Sequence, residues 1–177
     1  MLSAGFGSKL AWLADRDQET IFVGRDDADG RRAGQLAVAV GIRKLGGFLH
    51  GGMTSWRQEK RAVERIERIT LEDLAAADAD RDLQFLAVRE QSEWAAGHIP
   101  GSTFAPWHDI DALPDGLDAA RPVAVLCGSG QRSAVAASLL QRSGAQHVIH
   151  VVEGGVPKWG RLGHRLERSE APASASA

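Results

Sequence analysis

Cys127 is the single cysteine of the chain, and it opens the segment Cys127-Gly128-Ser129-Gly130-Gln131-Arg132-Ser133. A thiol attacks as thiolate, and its pKa falls where amides, a helix N-terminus or a cation face the sulfur. Small residues after Cys127 let the backbone curl tightly and aim several amides inward. The expected chemistry is nucleophilic attack by Cys127 within an anion cradle, with a thiol pKa below the ordinary ~8.5. Arg132 closes the loop with a guanidinium. A cation at a helix start opposes the dipole unless an anion is bound, so substrate binding is favoured over a simple salt bridge. Gly128, Ser129, Gly130, Gln131 and Ser133 would bind substrate through their amides, and Ser133 is also a candidate helix cap.

The elements that must hold this loop are legible on both sides of it. The apolar run Val123-Ala124-Val125-Leu126 reads as a buried strand, and Ala134 to Leu140 reads as a helix. The positive end of that helix would face Cys127. Further strands are expected at Leu83–Val88, Thr103–Ala105 and Val148–Val152, with helices from Thr70-Leu71-Glu72-Asp73 onward, over Gln91–Ala96 and over Pro157–Leu162. Strands alternating with helices predict an α/β fold with a mainly parallel sheet, whose ligand site lies at the carboxyl ends of its strands.

Other side chains carry weaker signals. Arg89 follows a buried strand, and its residue type serves equally for substrate binding or for an ion pair with Glu90 or Glu93. His98 sits in a turn and is expected to be structural. His147 and His150 lie three apart on a strand, point to opposite faces and make no metal pair. Trp107 and His108 are weak candidates for the pocket mouth, and Trp56 and Trp159 are expected in the core. One cysteine excludes an internal disulfide and a thiolate-rich zinc site. No metal or organic cofactor is expected.

These segments together resemble the rhodanese (sulfurtransferase) family. Cys127-x-x-Gly130-x-Arg132 resembles its active-site loop, and Gly97-His98-Ile99-Pro100-Gly101-Ser102 its Gly-His-Ile-Pro-Gly segment. Val88-Arg89-Glu90 resembles its Asp-Val-Arg segment, and Gly154-Gly155 with Trp159 its closing Gly-Gly-x-x-x-Trp. The ordered motifs cover residues about 67 to 168. Ala87 stands where the family usually has Asp, a departure that bears on the support of Arg89. The resemblance implies a rhodanese-like fold and sulfane-sulfur transfer through a Cys127 persulfide. The donor would be a small anion such as thiosulfate or a low-molecular-weight persulfide, and the acceptor a thiol, cyanide or a protein. Two rivals belong to other classes. A non-catalytic rhodanese-like module would bind or regulate, and a cysteine phosphatase or arsenate reductase would use a similar thiolate cradle. Phosphatases resemble Cys-x5-Arg, whereas four residues separate Cys127 from Arg132, a tighter loop that favours sulfur over phosphate.

The chain also matches itself at a shift of 103 residues, which brings Gly51-Gly52 onto Gly154-Gly155. Trp56 then falls on Trp159, Gly41 on Gly144, Leu36 on Leu139 and Ala33 on Ala136. Residues 1–60 are therefore expected to be a truncated rhodanese-like half repeat, followed by a linker over 61–68, a complete domain over 69–168 and a disordered tail over 169–177. Cys127 falls on Gly24 and Arg132 on Asp29, so the first copy is expected to be inactive. It would pack on the complete domain, pair with the same half of a second chain, or be the tail of a longer protein. Homodimerisation is slightly favoured, and the last arrangement resembles the tail of metallo-β-lactamase-fold hydrolases fused to rhodanese domains.

With 21 basic and 23 acidic residues the formal charge is −2, which gives no reason to expect nucleic acid or an acidic membrane as partner. No apolar run approaches the ~20 residues of a membrane span. The first residues lack a basic stretch followed by a long apolar core, so they make a poor secretory signal. A reducing cytoplasm is the expected location.

Overall fold

The structure, a computed structural model, describes residues 2, 5–77 and 82–169, and it divides into two compact units, Met1–Glu64 and Arg65–Ala177. The expected tail lies, apart from Ser169, outside the described residues.

The first unit runs α1 (Phe6–Leu13), β1 (Thr20–Phe22), α2 (Asp27–Ala39), β2 (Leu45–Phe48) and α3 (Gly52–Gln58). Its two strands pair in parallel, as a crossover through a helix requires. Phe22, Ala33, Ala37 and Ile42 form a small core, with Phe6 and Leu10 of α1 packed against it. Alternation along β1 sends Phe22 inward and its neighbours outward. Ile21 and Val23 are 61% and 56% exposed. Trp56 is only half buried: its indole N–H donates to the Ala62 carbonyl, and the Arg61 guanidinium lies over its ring. The expected core role fails there: the ring lies outside the small core of Phe22, Ala33, Ala37 and Ile42 and packs with Arg61 instead.

The second unit runs β3 (Glu67–Ile69), α4 (Leu71–Ala77), β4 (Gln84–Ala87), α5 (Gln91–Ala96), β5 (Thr103–Phe104), a 3-10 turn (Trp107–Asp109), β6 (Val123–Leu126), α6 (Gln131–Arg142), β7 (Val148–Val151) and α7 (Gly155–Arg161). Its five strands form one sheet in the order β3-β7-β6-β4-β5, every pair parallel. The α/β class expected from the alternating pattern is what is found. The central strand β6 is buried along its whole length because helices cover both faces. On one face Val123, Val125 and Leu86 pack with Ala136 and Leu140 of α6 and with Trp107. On the other, Ala124, Leu126 and Val151 pack with Leu71, Leu74 and Trp159. Fully burying a side chain of this size contributes ~1.5–3 kcal/mol, so both layers hold β6 in place. β3 occupies the end of the charged stretch read as a linker. As an edge strand it needs pairing on one side only, which its mixed charges permit.

Elements recur at one spacing. The ranges of α2, β2 and α3, moved on by 103 residues, end where α6, β7 and α7 end. Gly41, Gly51 and Gly52 have positive φ, and so do Gly144, Gly154 and Gly155.

Candidate active site

Cys127 follows directly on β6, at the carboxyl end of the parallel sheet, and α6 begins four residues later. The helix starts earlier than its apolar periodicity suggests, because Gly130 takes the left-handed conformation at the N-cap, with φ 86° and ψ −12°. Gln131 and Arg132 thus belong to the first turn. Ser133 is not the cap. It lies inside that turn, fully buried, too far along to reach the free amides ahead of it.

Cys127 is only 1% exposed, and its sulfur sits among amides. Gly130 N–H donates to Cys127 Sγ at 3.1 Å. The Cys127 thiol lies 3.4 Å from Ser133 Oγ, to which it donates, and the Ser133 hydroxyl donates to the Val151 carbonyl at 3.3 Å. Burial pushes the Cys127 thiol up, but once the sulfur is ionised the Ser133 hydroxyl can turn to donate to it, and with the amides of Ser133, Ser129 and Gly130 this outweighs burial and holds the thiol below its ordinary value. The loop closes against α7 with no spare room: a Cβ on Gly155 would lie 1.6 Å from the Cys127 carbonyl oxygen.

Charged groups surround this loop in an arrangement that sequence spacing does not show. Arg132 is not a free cation. It donates two hydrogen bonds to the Glu93 carboxylate, at 2.5 and 2.9 Å, and lies 3.6 Å from Glu90. Hydrogen bonding from Arg132 holds Glu93 below the usual carboxylate range, and Glu93 in turn raises Arg132. His108 joins the same rim, with its Nε2 at 3.2 Å from Glu90 and its Nδ1 at 2.6 Å from Asp109. Arg89 is 5% exposed and donates to the Gly97 carbonyl. Its Nε is buried without a hydrogen-bond partner, and burial lowers its pKa. The ion pair expected as one option for Arg89 with Glu93 is taken by Arg132 instead, although Glu93 still acts on Arg89 through its charge.

Ser129 and Gln131 are exposed and Gly128 is half-buried. His98 stacks on Trp94 at 3.7 Å, and its Nδ1 lies 3.1 Å from the Trp94 carbonyl. Trp107 is core rather than pocket. His150 makes no metal pair with His147 in the sequence pattern, yet its Nε2 reaches the Gly130 carbonyl at 2.8 Å. That contact is not readable from a strand pattern, because it joins residues on different elements.

Comparison with known proteins fits this geometry. The model of the rhodanese-like domain matches residues 70–162, just over half of the chain. The chain belongs to the rhodanese-like family. A sulfurtransferase of Allochromatium vinosum is 31% identical over 99 residues, which cover 55% of this chain and 92% of that one. YrkF, a candidate sulfur carrier protein of Bacillus subtilis, is 34% identical over 90 residues, covering 50% of this chain and 49% of its own, so the chain spans about half of that relative's length. The crystal structure of a rhodanese-related protein from Thermoplasma volcanium superposes with a TM-score of 0.50 at 29% identity, over 58% of this chain and 99% of that one. These matches agree on a rhodanese-like domain. Among the described residues no helix is long and apolar enough to cross a membrane.

Proposed function

We propose that the second unit transfers sulfane sulfur through a persulfide on Cys127. The observation that carries this reading is the Cys127 sulfur at the end of β6, lowered in pKa by amides that point at it. In the first half-reaction the thiolate attacks the outer sulfur of the donor. The new Cys127 S–S bond forms as the donor's own S–S bond breaks, and the electron pair leaves with sulfite, from thiosulfate, or with a thiolate, from a small persulfide. In the second, cyanide or an acceptor thiolate attacks the outer sulfur and returns Cys127 as thiolate. The steps are covalent catalysis of ping-pong form, and one cysteine suffices. Amides of Ser129, Gly130 and Ser133 would hold the negative charge on the persulfide.

Charge in the loop bears on the donor. Arg132 meets a substrate while already bonded to Glu93, with Glu90 close by. Two guanidiniums, Arg89 and Arg132, are thus offset by two carboxylates before the thiolate itself is counted. A singly charged persulfide fits that balance better than doubly charged thiosulfate. The test is the intact mass of the protein after incubation with each donor. One added sulfur atom, lost on treatment with cyanide, is expected, and no addition from either donor overturns the reading.

We further infer that the first unit is a truncated second copy without this chemistry. Its shared spacing of elements and of left-handed glycines supports the reading, and Gly24 and Asp29 stand where Cys127 and Arg132 stand.

A further inference from the structure

The Gly130 amide can bond the sulfur only while Gly130 keeps its left-handed turn. A Cβ at this position would lie 2.1 Å from the Val152 carbonyl oxygen, so the residue must be glycine. Glycine has the widest backbone freedom of any residue, and its conformation must be fixed from outside. The α6 start does part of this, since Ala134 N–H donates to the Gly130 carbonyl at 3.1 Å. The second lone pair of that carbonyl faces His150 Nε2 at 2.8 Å. A carbonyl only accepts, so Nε2 carries the hydrogen in this contact.

We propose that His150 is a positioning residue for the sulfur chemistry: its Nε2–H grips the Gly130 carbonyl and holds the turn that presents the Gly130 amide to Cys127 Sγ. The placement suits the task. His150 lies in β7, in register with Arg68 of β3 on one side and Val125 of β6 on the other. Burial lowers its pKa, and the charge of Arg68 lowers it further, so near neutrality the ring is an uncharged donor. A β7 side chain thereby ties a rigid strand to the loop residue that has the least stiffness of its own.

The proposal rests on Cys127 being the reactive thiol, and the experiment reads that thiol directly rather than sulfur transfer. The role of His150 is therefore tested even in a protein that accepts no sulfane sulfur. His150→Leu removes the donor at similar volume, and His150→Gln returns an N–H at similar reach. The alkylation rate of Cys127 by iodoacetamide is followed against pH, beside the thermal midpoint. For His150→Leu the inflection is expected to move up and the rate near neutral pH to fall about fivefold, with most of the loss recovered in His150→Gln. A His150→Leu profile that superposes on the wild type overturns the proposal. So does an equal loss of thermal midpoint in both variants without movement of the inflection. If His150→Leu does not fold, nitrogen NMR of the wild-type imidazole decides. A neutral ring protonated on Nε2 is expected, and protonation on Nδ1 alone, which cannot serve Gly130, overturns it.

Discussion

The two units start a helix after a parallel strand in contrasting ways. In the first, Asp26 caps α2 with its own carboxylate, accepting from Asp29 N–H at 2.8 Å. Arg25 pairs with Asp29 at 2.6 Å, and Asp27 accepts from Gly51 N–H and meets His50. In the second, Gly130 caps α6 with no side chain, and its N–H donates to the Cys127 sulfur. A helix N-terminus favours negative charge in either case. One loop carries that charge permanently in its sequence, whereas the other leaves the place to a thiolate and to whatever that thiolate binds. The residue types decide which unit has an unmet need for a ligand.

The harshest test of this contrast is Cys127→Ser, which keeps the shape and removes the nucleophile. Thiocyanate formation from thiosulfate and cyanide is expected to fall on the order of 10³-fold or more, with the thermal midpoint unchanged. Gly24→Cys in the other loop is expected to gain no activity, because Asp26 already serves its helix; a measurable rate would break the comparison. Next in size comes a pair of matched glycines. A Cβ on Gly155 would meet the Cys127 carbonyl oxygen at 1.6 Å, and one on Gly52 the Gly24 carbonyl oxygen at 2.2 Å. Both residues also have positive φ. Each change to Ala is expected to cost about 2–4 kcal/mol in its own unit by denaturant unfolding. Only Gly155→Ala should lower sulfur transfer.

Glu93→Gln sharpens the comparison by freeing Arg132. The kcat/KM for thiosulfate is expected to rise about threefold, a modest gain because the pair is partly exposed. The same variant has a pH signature. Hydrogen bonding from Arg132 depresses Glu93 below its ordinary 4.5 in the folded state. Its contribution to stability is therefore present above that value and lost as pH falls through the folded pKa. Unfolding midpoints of wild type and variant should converge in that acid window. The smallest effect concerns Ile21 in β1 and Val23 just beyond it, both exposed. The whole chain is expected to dimerise through this surface, and Ile21→Lys to weaken the dimer about tenfold by light scattering, with sulfur transfer unchanged.

Much of the scaffold is legible in the sequence because its signals are local. Val123–Leu126 is uniformly apolar, as a doubly covered strand must be, and the thiol loop follows it without a gap. The start of α6 is harder to place because a left-handed Gly130 takes the position usually given to Ser or Asp, and nothing in residue type distinguishes that glycine from Gly128. Edge strand β3 is hidden for a different reason: pairing on one side with β7 asks for no apolar pattern. The partner of Arg132 is out of reach altogether. Glu93 lies 39 residues away and meets it only because β4 and β6 are neighbours.

The depth of Cys127 has a consequence for the order of events. With the thiol almost wholly enclosed, only the slim end of a donor can touch it. A sulfur atom added there would stand ~2 Å farther out, one S–S bond nearer the mouth. The loaded form would then display its reactive atom where the empty form conceals it. Such a site would screen narrowly on entry and more broadly on delivery, letting a bulkier recipient collect the added sulfur.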